Sequence, residues 1–229
     1  MSTELSPHLR HAGPSPRVES RSSRPLAPAL RRSGRATQRL NRALDLVGAT
    51  ALLCLLAAPM LLVALLIKFT SRGGAIYRQE RVGLGGKTFV MFKFRTMRLD
   101  AEAASGPVWA RRNDPRRTGL GVLLRRLSID ELPQLFNVLR GDMSLVGPRP
   151  ERPEHVARLQ QKIPFYRTRL AVRPGLTGWA QVRYSYGSDD NDALVKLQYD
   201  LYYIRHSSLL LDLNILLRTV GKVLSLSGV

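Results

Sequence analysis

The stretch with the clearest chemical potential holds two neighbouring carboxylates, Asp130 and Glu131, just after two arginines, Arg125 and Arg126. A carboxylate kept ionised beside cationic groups can bind Mg²⁺ or attack phosphorus as a nucleophile. Arginine in turn binds phosphate oxygens through two parallel hydrogen bonds. The spacing therefore predicts a site for a phosphorylated substrate, with the two carboxylates at the start of a helix.

The same carboxylates also have a purely structural interpretation. Acidic residues in the first turn of a helix stabilise its macrodipole. Ser128 and Glu131 have the spacing of a capping box, in which the Glu131 side chain would bond to the backbone of its own helix. These residues alone leave both interpretations open.

Other basic residues could also bind phosphate. A predicted strand over 88–97 places Lys93 and Arg95 on one face, because alternate residues of a strand share a face; that face could bind a phosphate, meet lipid head groups or simply be solvated. A Gly-Pro-Arg-Pro run holds Arg149 on a loop that its two prolines stiffen, which limits the entropy lost when the loop binds a ligand, although a rigid turn with an incidental arginine is also open. The candidate phosphate-binding residues are Lys93, Arg95, Arg125 and Arg149.

The composition points to an anionic partner and restricts the choice of metal. The formal net charge is +19, and 30 of the 36 basic residues are arginine. Nucleic acid, anionic lipid head groups and a phosphorylated substrate all fit that charge. The single cysteine, Cys54, cannot form a disulfide framework or a cysteine zinc site. The four histidines lack metal-ligand spacing, so any metal should be a hard cation bound by oxygen, such as Mg²⁺.

Two N-terminal segments precede the part that carries these motifs. Residues 1–38 are rich in Arg, Ser and Pro, which predicts a disordered basic tail. Its charge could hold it near an anionic membrane, although a tail without a specific role is the simpler interpretation.

Leu46–Ile67 is a run of 22 residues without a charge, long enough to cross a bilayer core of about 30 Å. Pro59 near its middle removes one backbone hydrogen bond and favours a kink. Basic residues flank both ends of the run: Arg39 and Arg42 precede it, and Lys68 and Arg72 follow it. Positive charge is typical of the cytoplasmic side of a membrane segment, so both ends look cytoplasmic. A helix–break–helix hairpin over 39–70 and a proline-kinked spanning helix both remain open on these residues.

The segment 71–229 predicts a helix-rich, mixed α/β domain. Two strands, over 75–82 and 88–97, flank a glycine-rich turn. Helical patterns follow over 118–127, 130–140, 151–163 and 190–222. The last helix is amphipathic, so its apolar face either packs on the domain's own core or lies in the lipid head-group layer.

Four motifs follow one another along the chain: Lys93-Phe94-Arg95-Thr96-Met97, Asp130-Glu131-Leu132-Pro133-Gln134, Gly141–Pro150 and Arg173–Gly178. In this order they resemble the motifs of the monotopic phosphoglycosyl transferases. Members of that family are bacterial sugar transferases that initiate exopolysaccharide, O-antigen or glycoprotein glycan assembly on undecaprenyl phosphate. The resemblance runs from about Gln38 to Leu224, and the stretch Tyr199–Ile204 is similar to the exopolysaccharide branch.

The resemblance implies a role for each candidate residue. Asp130 would attack the donor phosphate nearest the sugar, expel UMP and form an aspartyl phospho-sugar, which polyprenyl phosphate then attacks. Glu131 would complete the acidic pair and assist Mg²⁺ or the acceptor phosphate. Mg²⁺ would neutralise the donor diphosphate. Arg125, Arg149, Lys93 and Arg95 would contact phosphate.

The resemblance also implies a placement and partners. A re-entrant helix broken at Pro59, together with amphipathic interfacial helices, would dock the domain on the cytoplasmic face of the bacterial inner membrane. Ala58 stands where some relatives carry serine. The expected partners are UDP-glucose or UDP-galactose, undecaprenyl phosphate and membrane lipids, with a homo-oligomer left open. Many exopolysaccharide relatives carry a large N-terminal membrane region, so we expect either a minimal form or a catalytic portion.

Two other functions compete with transfer chemistry. A membrane-tethered nucleic-acid-binding protein would explain the charge, but the chain carries no RNA- or DNA-binding signature and its basic residues are scattered among apolar motifs. We therefore expect no nucleic-acid partner. A non-catalytic membrane scaffold predicts that Asp130→Asn changes nothing measurable.

Overall fold

The computed structural model describes residues 35–101, 106, 114–184 and 189–225. The predicted basic tail lies outside the described residues except for its last four positions.

Helix α1 (Arg35–Thr70) is a single helix that contains Pro59. The predicted break between two helices is absent from it, because a proline removes only one backbone hydrogen bond while the surrounding Leu and Ala favour helix. One stripe of α1 packs on the rest of the chain, with Ala49 against Leu135 and Met60 against Phe94. Its other faces are apolar and exposed. The re-entrant placement of α1 stays a prediction.

The predicted hairpin is confirmed. Strand β1 (Ile76–Val82) pairs antiparallel with β2 (Thr88–Phe94), with Ile76 opposite Phe94 and Val82 opposite Thr88. Gly85 and Gly86 in the turn have φ values of +67° and +86°, a conformation that glycine adopts without strain. Strand β2 ends at Phe94, so Arg95 lies just beyond it.

Helix α2 (Gly119–Arg126) follows its N-cap residue Thr118, whose hydroxyl accepts a hydrogen bond from the Gly121 N–H.

The next predicted helix, over 130–140, is divided in two. A 3₁₀ turn (Ile129–Glu131) precedes helix α3 (Gln134–Arg140). Pro133, which has no N–H to donate, suits the position at which α3 begins.

Asn137 on α3 closes the free edge of β2. Its Oδ1 accepts from the Phe92 N–H at 3.0 Å, and its Nδ2 donates to the Val90 carbonyl at 2.7 Å. The Asn137 side chain is fully buried. One amide therefore supplies both bonds that a neighbouring strand would have made, and it fixes α3 against β2.

The C-terminal part builds a second small sheet and five further helical elements. Strand β3 (Ser144–Val146) pairs parallel with β4 (Gly175–Thr177). The helices are α4 (Pro153–Lys162), a 3₁₀ helix (Tyr166–Ala171), α5 (Trp179–Arg183), α6 (Asp190–His206) and α7 (Leu209–Leu224).

The prediction of one helix over 190–222 is wrong. The chain leaves helical geometry at Ser207, and Ser208 starts α7 by accepting a hydrogen bond from the Leu211 N–H. Serine at this position favours a new helix start over continuation of the old one.

Asn137→Ala should lower the free energy of unfolding by roughly 1–3 kcal/mol, because it leaves the Phe92 N–H and the Val90 carbonyl buried without partners. The measurement is thermal unfolding in detergent. Asn214→Ala, at an exposed asparagine on α7, is the matched control and should move the midpoint little. Equal midpoints for the two variants would contradict the bridging role of Asn137.

Candidate active site

The two carboxylates lie on the 3₁₀ turn, which the chain enters through Ser128. Ser128 has φ +55°, a left-handed conformation that costs a non-glycine residue about 1–2 kcal/mol. This sharp turn at the end of α2 directs Asp130 inward, where it is 5% exposed.

The capping-box interpretation of Ser128 and Glu131 is wrong. Ser128 makes no side-chain cap bond, because an N-cap residue needs extended rather than left-handed backbone. The Glu131 carboxylate reaches other elements of the fold instead.

Glu131 lies between two cations. Its Oε1 accepts from the Lys93 Nζ at 2.8 Å. Arg149 donates to both of its oxygens, with Nη1 at 3.1 Å from Oε2 and Nη2 on Oε1. Burial by itself would raise the pKa of Glu131, but Arg149 and Lys93 outweigh burial and hold that pKa far below its usual range. Glu131 is therefore an anion whose oxygens are already hydrogen-bonded.

Asp130 has the opposite environment. Burial raises its pKa; Lys93 opposes that rise, and the negative charge of Glu131 adds to it. Within the described residues, no hydrogen bond reaches the Asp130 carboxylate. Asp130 is thus the carboxylate with free oxygens, and its poor solvation makes it the more basic of the two.

Three of the four predicted phosphate-binding residues come together at these carboxylates from separate elements. Lys93 projects from β2 and Arg149 from the loop after β3, both onto Glu131. Arg125, in the last turn of α2, donates from Nε to the Thr96 hydroxyl at 2.9 Å and lowers the pKa of Asp130.

The structure directs the fourth predicted residue, Arg95, elsewhere. Its guanidinium donates to the Arg72 carbonyl and, at 2.9 Å, to the Ser71 hydroxyl. Because β2 ends at Phe94, the alternation that would have placed Arg95 beside Lys93 stops one residue too early. These contacts tie the end of α1 to the hairpin and leave phosphate binding by Arg95 without support.

Close backbone packing fixes the loop that carries Arg149. A Cβ on Gly175 would lie 2.1 Å from the Gly147 N, and a Cβ on Gly178 would lie 2.1 Å from the Gly147 carbonyl oxygen. Only glycine permits this close approach of β4, and of the residue after it, to the loop that follows β3. The Gly-Pro-Arg-Pro and Pro-Gly-Leu-Thr-Gly motifs thus pack directly on each other and together fix the position of the Arg149 loop.

Sequence reasoning missed two arginines next to this loop, the half-buried Arg81 and the buried Arg169. Arg81 donates to the Pro150 carbonyl, and Arg169 donates to the Arg149 carbonyl. The alternation of β1 and β2 could have placed Arg81 on the same face as Lys93. No local pattern marks Arg169, because its acidic partner, Asp200, lies 31 positions away.

A Mg²⁺ site formed by Asp130 and Glu131 stays a prediction, and the two carboxylates differ in how open they are to a metal. In the part of the chain that the structure describes, no three or more His, Cys, Asp or Glu residues group as metal ligands. Both Glu131 oxygens already accept from cations. Asp130 remains as one available ligand, and Mg²⁺ commonly binds through one or two carboxylates together with substrate phosphates.

Comparisons with known proteins converge on one group. A family model described as bacterial sugar transferase matches residues 36–226. The chain is 46% identical over 219 residues to the UDP-glucose:undecaprenyl-phosphate glucose-1-phosphate transferase of Caulobacter vibrioides, covering 95% of this chain and 75% of that protein. It is 42% identical over 186 residues to the exopolysaccharide production protein PSS of Rhizobium leguminosarum bv. phaseoli, covering 79% of this chain and 93% of that protein.

A third relative is much longer than the chain. The UDP-N-acetylgalactosamine-undecaprenyl-phosphate N-acetylgalactosaminephosphotransferase of Aeromonas hydrophila is 44% identical over 186 residues, which cover 81% of this chain but 44% of that protein. The chain thus spans less than half the length of this relative.

Proposed function

The chain belongs to the bacterial sugar transferase family, and from this membership we propose that it transfers a sugar 1-phosphate from a UDP-sugar to undecaprenyl phosphate. The observation that carries the proposal is the contrast within the acidic pair. Glu131 is neutralised by Lys93 and Arg149, whereas Asp130 is buried with free oxygens and a raised pKa.

The first step of the proposed reaction uses Asp130 as a nucleophile. One carboxylate oxygen attacks the phosphorus nearest the sugar, and the bond from that phosphorus to the bridging oxygen breaks. UMP leaves with the electron pair, and an aspartyl phospho-sugar remains. Poor solvation suits this role, because an anion that is weakly solvated is also a better nucleophile.

The second step regenerates the carboxylate. A phosphate oxygen of undecaprenyl phosphate attacks the same phosphorus, and the bond to Asp130 breaks. The products are the free carboxylate and an undecaprenyl-diphosphate sugar, the start of an exopolysaccharide or other glycoconjugate.

The remaining residues supply positive charge where the transferring phosphate must lie. Lys93 and Arg149 are held beside Asp130 by Glu131 before substrate arrives, so little reorganisation is needed when they share their donors with phosphate oxygens. Arg125, at the end of α2, adds a third positive charge that acts on Asp130. Glu131 therefore organises the cations and is not itself a metal ligand.

Mg²⁺ would bind mainly to the donor diphosphate, with Asp130 as the protein carboxylate available to it. When bound, it would reduce the negative charge that the phosphates present to the attacking carboxylate.

The proposed reaction is tested by UMP release from a panel of UDP-sugars, with undecaprenyl phosphate and Mg²⁺ in detergent or vesicles. The panel contains UDP-glucose and UDP-galactose as the expected donors, and UDP-N-acetylgalactosamine because the Aeromonas relative is named for it. Asp130→Asn should lose more than about 1,000-fold in rate, whereas Glu80→Gln, at an exposed carboxylate on β1, should keep wild-type activity. An Asp130→Asn rate within tenfold of wild type would contradict the proposal.

A monotopic placement of the chain on the cytoplasmic face of the inner membrane is part of the proposal. Within α1, Gln38–Thr70 is long and apolar enough to cross a bilayer. Yet both of its ends are bound by the same domain. Arg42 donates to the Val138 carbonyl at 2.6 Å near one end, and Arg95 donates to Ser71 just past the other. Because one domain holds both ends of this unbroken helix, these contacts support a placement in which the two ends lie on the same side of the membrane.

Helix α7 adds a second apolar surface to this placement. Five residues spaced three and four apart form one exposed stripe along it: Leu210, Leu213, Leu217, Val220 and Leu224. Arg218 and Lys222 lie on the same helix. An apolar stripe beside basic residues is typical of a helix that lies in the head-group layer.

Topology labelling tests this placement. In a Cys54→Ser background, Arg39→Cys and Arg72→Cys should both react with a membrane-impermeant maleimide in inverted vesicles and neither in spheroplasts. The control is the wild-type chain, in which Cys54 is exposed on α1 and should react only after detergent is added. Labelling of the two positions from opposite sides would establish a spanning helix instead.

A further inference from the structure

Two arginines, the buried Arg169 and the half-buried Arg81, donate to consecutive carbonyls of the loop that carries Arg149. Arg169 comes from the 3₁₀ helix Tyr166–Ala171, and Arg81 comes from β1. Neither touches the Glu131 carboxylate through a described hydrogen bond. Arg169 contacts the peptide group between Arg149 and Pro150, and Arg81 contacts the next one, between Pro150 and Glu151.

Arg169 is the more completely enclosed of the two. Its Nη2 donates to the Arg149 carbonyl at 2.9 Å and lies 2.8 Å from the Asp200 carboxylate. Its Nε donates to the same carboxylate at 3.0 Å, and its Nη1 donates to the Tyr166 hydroxyl at 3.1 Å. The fork thus joins α6, through Asp200, to the backbone of the loop.

Arg81 approaches from the hairpin. Its Nη1 donates to the Pro150 carbonyl at 3.1 Å and lies 3.9 Å from the Glu151 carboxylate. The next residue, Val82, donates its N–H to the Glu151 carbonyl at 2.9 Å. The hairpin therefore holds the loop just beyond the residue that Arg169 holds.

A contribution to stability alone does not explain this arrangement. Burying an ion pair such as Arg169–Asp200 removes both charges from water, and well-packed apolar residues often serve stability better. Fixing the loop has a specific consequence for Arg149. Its side chain is 40% exposed and so is held little by packing, whereas its own carbonyl and that of Pro150 are both hydrogen-bonded. The fixed main chain therefore determines where the guanidinium can reach, and that guanidinium contacts Glu131.

We infer that Arg169, paired with Asp200, and Arg81 are positioning residues, which fix the Arg149 main chain so that its guanidinium neutralises Glu131 beside the nucleophile. The inference rests on the proposed function for its kinetic test. It assigns no direct contact between these two arginines and the substrate.

The positioning role should show in how the loss of rate divides between kcat and KM. Arg149 faces Glu131, Glu151 and Asp130. If its main chain shifts, its guanidinium no longer lies where charge develops on the transferring phosphate, so the loss should fall mainly on kcat.

The experiment measures kcat, and KM for the UDP-sugar, for wild type, Arg169→Gln, Arg149→Met and the double variant. Arg169→Gln should lose about 100-fold in kcat/KM, the size expected from a displacement of about 1 Å at a reacting centre, with most of that loss in kcat. The double variant should be no slower than Arg149→Met, because Arg169 acts only through Arg149. The matched control, Arg158→Gln, breaks the more exposed ion pair with Asp190 and should leave both constants unchanged.

Multiplicative losses in the double variant, or a loss in Arg169→Gln confined to KM, would overturn the inference. If Arg169→Gln does not fold, Arg169→Lys and Arg81→Met carry the same test. Arg169→Lys keeps the charge but loses the planar fork. Both should lose mainly kcat, and a wild-type kcat in either variant overturns the inference for that residue.

Thermal unfolding separates a failure of this inference from a failure of the proposed function. A wild-type chain that turns over no donor would count against the proposed reaction but not against the positioning role. The deciding measurement would then be a double-mutant cycle of Arg169→Gln and Glu131→Gln, read as melting temperature. If the double variant loses less melting temperature than the two single variants added together, the link from Arg169 through Arg149 to Glu131 is supported. If the two losses add, the link is overturned.

Discussion

The neutralisation of Glu131 by Lys93 and Arg149 is the interaction on which the candidate site depends. It joins three separate pieces of chain at one point: β2, the 3₁₀ turn after α2, and the loop after β3. It also gives the two adjacent carboxylates different environments. Glu131 gives its oxygens to cations and stays ionised, and its charge adds to the burial that raises the pKa of Asp130.

The rest of the fold positions these three pieces through backbone contacts more than through a large core. Asn137 bonds the edge of β2 and so fixes α3, which follows the turn. Glycines at 147, 175 and 178 let the loop after β3 approach β4 and the residue after it at distances that a Cβ would forbid. Arg81 and Arg169 hold the carbonyls of the Arg149 loop. Motifs that offer no reactive group thus determine where the reactive groups lie.

The sequence predicted what local physical chemistry determines. Alternation and a glycine-rich turn gave the hairpin, and the mixture of residue types placed Asp130, Glu131, Lys93, Arg125 and Arg149 among the candidates. It failed where a tertiary contact competes with a local preference. The spacing of Ser128 and Glu131 favours a capping box, but cations from distant elements compete for the same carboxylate. Strand alternation placed Arg95 beside Lys93, but β2 ends at Phe94 and the end of α1 binds the guanidinium instead. Nothing local could reveal Arg169, whose partners lie on α6 and on the Arg149 loop.

Asp130 as the covalent nucleophile is tested most directly by mass spectrometry of the wild-type chain incubated with its UDP-sugar donor in the absence of undecaprenyl phosphate. The predicted result is a hexose-phosphate adduct on the peptide that contains Asp130, which disappears when undecaprenyl phosphate is added and never forms in Asp130→Asn. An adduct on another residue, or full turnover without any covalent adduct under rapid quenching, would contradict this assignment.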